Sequence, residues 1–64
     1  MKENQELEVA IDDIGSQGDG IANLQGFLIF VPRSMIGEHV RVRIVSVGGK
    51  FAVAEGVARM EGQN

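Results

Sequence analysis

Sixty-four residues with no cysteine and a single histidine, His39, leave room for one small domain, braced by neither a disulfide nor a cysteine–histidine zinc site. No apolar run approaches the roughly 20 residues of a membrane-spanning helix, and the opening MKENQELEV is too acidic for a secretory signal, so a cytoplasmic protein is expected. The net charge of −3 conceals a division: residues 1–20 carry one lysine against six carboxylates, a balance of −5, and residues 21–64 carry five cations against three carboxylates, a balance of +2.

The chain is punctuated by glycine, and between the glycines lie runs rich in Val, Ile and Phe, which suit a pleated, half-buried surface. Residues 1–5 read as a flexible N-terminus. LEVAIDDI (7–14) alternates, with Leu7, Val9 and Ile11 on one face and Glu8, Ala10 and Asp12 on the other. GSQGDG (15–20) is a loop or a barrel corner, and IANL (21–24) is a short strand. Gln25-Gly26 is turn chemistry, FLIFV (27–31) returns antiparallel, and Pro32 ends it because proline cannot donate to the ladder. RSMIGE (33–38) connects to HVRVRIVSV (39–47), in which Val40, Val42 and Ile44 alternate with Arg41, Arg43 and Val45. GGK (48–50) is a tight turn. FAVAEGVAR (51–59) places small Ala52 and Ala54 opposite Phe51, Val53 and Glu55. Residues 61–64 read as a flexible C-terminus. Five short strands at this spacing predict an all-β fold, a small five-stranded barrel over 6–60, closed because closure removes exposed edges.

The chemistry of an enzyme is absent from this pattern. His39 has no nucleophile beside it, and Asp12 and Asp13, as neighbours on a strand, point to opposite faces. GSQGDG lacks the Lys-Ser/Thr pair of a phosphate loop and no helix follows it. No catalysis, metal or cofactor is expected. What remains is a binding surface. Arg41 and Arg43 share a strand face, and Lys50 and Phe51 open the partner strand across the glycine turn. Cations beside exposed rings are what a single-stranded nucleic acid requires, phosphates for the first and bases for the second.

The stretch GSQGDGIANLQGFLIFVPRSMIGEHVRVRI, followed by FAVAEGV, resembles the TRAM domain. The resemblance lies in a Gly-x-Gly-Ile-Ala opening, a Gly-Phe-x-x-Phe-Val-Pro strand, a Gly-Glu-x-Val-x-Val turn and strand, and an Ala-x-Ala-Glu segment, in that order across residues 6–59. It implies an OB-like five-stranded β-barrel that binds RNA. Many such domains are appendages of enzymes that methylate or methylthiolate RNA; this chain most resembles the small free-standing archaeal forms, which act like cold-shock proteins as RNA chaperones. The family's RNA surface maps onto Phe27, Phe30 and Phe51 with basic residues nearby, here Arg33, Arg41, Arg43 and Lys50. Val53 stands where relatives often have a second aromatic of the last strand, Asn23 where they often have a basic residue, and Arg33 where they often have glycine. The implied partner is single-stranded or weakly structured RNA (tRNA, rRNA or mRNA) bound by a monomer with low sequence specificity. Two other roles fit the residues: a protein-interaction module using the same exposed rings, and an accessory subunit delivering RNA to a modifying enzyme.

GFLIFVP (26–32) is apolar on both faces, where the other strands alternate. A two-residue Gln25-Gly26 turn pairs Leu24 with Phe27 and Ile21 with Phe30, and exposes Phe30. A three-residue turn shifts the register by one and exposes Phe27 instead. A bulge exposes both.

Overall fold

The computed structural model describes residues 1–59, and the expected C-terminal tail, 61–64, lies outside them. Six strands occupy those residues: β1 (Glu6–Ala10), β2 (Asp13–Ile14), β3 (Gly20–Leu24), β4 (Phe27–Val31), β5 (His39–Val47) and β6 (Phe51–Arg59). The last three have the limits expected from the sequence. The first expected strand is divided: its front half is β1 and its end is β2.

That division closes the barrel. The sheet runs in the order β1-β5-β6-β4-β3-β2, so β1 and β2 lie on opposite edges although only two residues separate them. Ala10 is in register with His39 of β5, and Asp13 with Ile21 of β3. At the crossing the Ile11 amide donates to the Glu38 carbonyl at 2.9 Å and the Asp12 amide to the Ile21 carbonyl at 2.8 Å. One continuous segment thus joins both edges of the curled sheet, which satisfies backbone groups that would otherwise be open. The fold is the small OB-like barrel that the resemblance to the TRAM domain implies. All pairings are antiparallel except β4 with β6, which run parallel in the middle of the sheet.

Burial follows the alternation. Val9, Ile11, Ala22, Ile29, Val31, Val40, Val42, Ile44, Ala52 and Ala54 form the core. Ala52 and Ala54 are fully enclosed, which sends the larger residues of β6 outward. Ile29 and Ile44 are among the largest fully buried side chains, and cutting such an isoleucine to alanine costs about 2–5 kcal/mol.

Two register shifts between β5 and β6 break the period. One lies between Arg41 and Val42, where Val57 is the extra residue, and the other between Ile44 and Ser46, where Val45 is. Both valines are about half exposed, at 46% and 50%. The bulge at Val45 also ends the arginine face: beyond it Ser46, opposite Val53, takes the outward position that strict alternation assigns to Val45.

Candidate functional site

The turn between β3 and β4 decides which phenylalanine is presented. Gln25 and Gly26 both have positive φ, 57° and 87°, the requirement of a two-residue hairpin turn of type I′. The Gly26 amide donates to Asn23 Oδ1 at 2.8 Å and fixes the loop. The resulting register is the one that pairs Leu24 with Phe27 and Ile21 with Phe30. Phe27 therefore lies on the inner side of β4 with Ile29 and Val31, half-buried and packed against the core. Phe30 lies on the outer side with Leu28. Of the three registers open from the sequence, the two-residue turn is adopted, and β4 contains no bulge that would turn both rings outward.

The parallel pairing of β4 with β6 then gathers an apolar platform. Leu28 is in register with Phe51, and Phe30 with Val53. Phe51 is 48% exposed and Val53 39%. The rings of Phe30 and Phe51 meet edge to face, with centroids 6.2 Å apart and planes at 70°. Row by row, Ser46, Val53, Phe30, Ile21 and Asp13 lie side by side across five strands, apolar in the middle and polar at both ends. Lys50 stands at one end of the platform, immediately before Phe51, and no carboxylate lies within ion-pairing distance of it among the described residues. Arg33 follows β4 at the other end, with a positive φ of 64°. A groove of about 530 Å³, lined by Pro32, Arg33, Glu55 and Gly56 among others, opens beside that end.

Arg41 and Arg43 do point outward, as their spacing requires, but they face carboxylates. Across the β1–β5 pairing Glu6 is opposite Arg43 and Glu8 opposite Arg41. The Arg41 guanidinium reaches both, Nε to Glu6 Oε1 at 3.2 Å and Nη1 to Glu8 Oε2 at 3.4 Å. Arg43 turns to its other neighbour, Glu55, donating through Nε at 2.9 Å and through Nη2 to the same oxygen. Hydrogen bonding to Glu55, reinforced by its charge, raises the Arg43 pKa above its ordinary value. The acidic front of the chain, visible as composition, is in space the counter-charge of the arginine strand. The sequence did not show this, because the β1–β5 register joins residues about 35 positions apart; the period-two spacing of Glu6 and Glu8, matching Arg41 and Arg43, was the available signal.

Two further outward residues, Ile21 and Leu28, join the platform without having been singled out. So does Gly48. A Cβ there would stand 2.6 Å from Cε1 and 2.8 Å from Cζ of Phe51, so the ring lies where any larger residue would place its side chain.

Comparison with known proteins places this geometry. The TRAM domain profile matches residues 1–58. The chain belongs to the TRAM domain family. An uncharacterised protein of Methanocaldococcus jannaschii is 49% identical over 55 residues, 86% of this chain and 71% of its own. The ribosomal RNA large subunit methyltransferase E of Haloarcula marismortui is 44% identical over 57 residues, 89% of this chain but 22% of the enzyme, whose TRAM domain is thus a small part of a longer protein. In solved structures, a conserved protein of Methanococcus maripaludis superposes with a TM-score of 0.82 at 44% identity, covering 89% of this chain and 81% of that one. The TRAM match coincides with the barrel.

Proposed function

We propose that this TRAM domain binds single-stranded or weakly structured RNA through the β4–β6 platform, without catalysis. The observation that carries the reading is the ring pair of exposed Phe51 and half-buried, outward-facing Phe30, flanked by Val53 and by Lys50. Rings on an OB-like sheet stack on bases irrespective of sequence, and a neighbouring cation holds the phosphates. The family supports it, as does the TRAM domain carried by a relative named for methylating ribosomal RNA. Lys50 is the first phosphate contact, and Arg33, although it has a partner of its own, stands at the other end of the platform in position for a second. Arg41 and Arg43 contribute less, since phosphate must compete for them with Glu6, Glu8 and Glu55. Phe27 contributes to the barrel instead of the bases.

A protein that prefers unpaired strands shifts misfolded RNA towards the open form by mass action, and this is how such a domain serves as an RNA chaperone without nucleotide hydrolysis. It would do so as a cytoplasmic monomer. The test is an amide-shift NMR titration with a short unstructured RNA. Shifts should cluster at 28–30 and 50–53 and spare Glu6, Glu8 and Arg41. Shifts centred on the β1–β5 face, or none at all, would overturn the reading. With about two phosphate contacts, log affinity should fall against log salt with a slope near −1.4.

A further inference from the structure

The angle between the exposed Phe51 ring and the half-buried, outward-facing Phe30 ring constrains what can lie on them. In a stacked single strand neighbouring bases are nearly parallel. The planes of Phe30 and Phe51 stand at 70°, with centroids only 6.2 Å apart. Two mutually stacked bases cannot each lie flat on one of these rings; at most one can. Filling both rings requires the bases to separate and the backbone to turn between them.

The angle is held by the surroundings. Phe51 begins β6 directly after the glycine turn, and the Gly48 amide donates to the Phe51 carbonyl at 2.7 Å. The ring then lies across Gly48, in the volume a Cβ would occupy. On the other side Phe30 is set by its register with Ile21 and Val53. The Phe51 ring thus leans over the turn and meets Phe30 edge to face, where a residue with a side chain at 48 would push it away.

We propose that the platform selects unstacked strands: it accepts two neighbouring nucleotides only after their bases have come apart, and Gly48 is the positioning residue that sets this geometry through Phe51. The inference rests on the RNA-binding reading above and adds the state of the RNA that is bound. The ligand class is kinked, non-helical single strand, so pyrimidine-rich segments, which stack weakly, enter at little cost, whereas purine runs must first break a stack.

Tetraadenylate is the probe, because adenine–adenine stacking gives a strong circular-dichroism couplet, from which the weak phenylalanine bands are removed by subtracting the spectrum of the free protein. It has three stacked steps, so opening one between the rings should lower the couplet by about a third at saturation. An intact couplet at saturation overturns the inference and leaves the RNA-binding reading standing; no binding of tetraadenylate or tetrauridylate removes that reading itself. Phe30→Leu leaves one ring and no angle to satisfy, so it should bind more weakly and preserve the couplet. An equal loss of couplet in that variant would refute the role of the ring pair. Gly48→Ala should weaken binding in the wild-type background and have no effect in a Phe51→Ala background. An equal effect in both would show that Gly48 does not act through the ring, since damage to the turn alone would lower both.

Discussion

Two walls of one sheet carry different chemistry here. Where β5 meets β1 and the middle of β6, the outer residues are Arg41 and Arg43 with Glu6, Glu8 and Glu55, each arginine held by at least one carboxylate. Where β6 meets β4, they are Phe51, Val53, Leu28 and Phe30, with Lys50 at the margin. The charged wall has the more cations, yet its three carboxylates outnumber its two arginines, and a polyanion approaching it meets more negative groups than positive. The apolar wall has fewer cations, but Lys50 has no carboxylate neighbour to displace among the described residues. On the proposed reading, counting cations misjudges where RNA would be held; what matters is which cations are not already neutralised.

The sharpest way to break this contrast is to remove, one at a time, the inner ring of β4 and the outer ring of the neighbouring β6. Phe27→Ala removes a half-buried ring packed on the core. It should cost about 2–3 kcal/mol of stability, a fall in melting temperature of roughly 10–20 °C measured by thermal unfolding. RNA affinity of the protein that remains folded should be nearly unchanged. Phe51→Ala, on the exposed side, should do the reverse: binding by fluorescence anisotropy weakens by about 1–3 kcal/mol and melting shifts only slightly. If Phe27→Ala abolishes binding in folded protein, the division of β4 into a core side and a platform side is wrong.

These two rings also show how far the sequence could be read. Strand limits, the inward alanines of β6 and the outward arginines of β5 follow from period and residue size, because those are local rules. The choice between Phe27 and Phe30 depended on one turn, and it was settled by the positive φ of Gln25, a residue with no strong preference for it. The ion pairs of Arg41 and Arg43 depend on a pairing between the first strand and the fifth. No local rule gives that register; it is fixed by burial of Leu7 and Val9 opposite Val42 and Val40. The split of the first strand has the same origin, since only closure of the barrel tells the chain where to change partners. Residue types were legible, and contacts between distant residues were not.

A smaller effect separates the cations themselves. Lys50→Gln should reduce the steepness of the log affinity–log salt line by about 0.7, the loss of one phosphate contact on a single strand. Arg41→Gln should leave that slope unchanged and alter stability by no more than about 0.5 kcal/mol, as an exposed pair does. A slope reduced equally by the two substitutions would mean that RNA draws Arg41 away from Glu6 and Glu8.

The smallest expected change is a gain. Among the described residues Glu55 is the one carboxylate that belongs to both walls: it follows Phe51 and Val53 on the outer side of β6 and it binds Arg43. Glu55→Gln removes a negative charge beside the platform and releases Arg43 towards it. Amide and carboxylate have the same shape, so the strand register should be kept and melting should move little. RNA affinity should rise about two- to fivefold at low salt, and the gain should shrink at higher salt as the added attraction is screened. The salt slope should steepen at the same time, because Arg43 becomes an additional phosphate contact. Removing Arg43 together with Glu55 should cancel the steeper slope but keep part of the gain, the part due to lost repulsion. If Glu55→Gln leaves both affinity and slope as they were, the bound strand does not reach the border between the walls, and its path is confined to Phe30, Phe51 and Lys50.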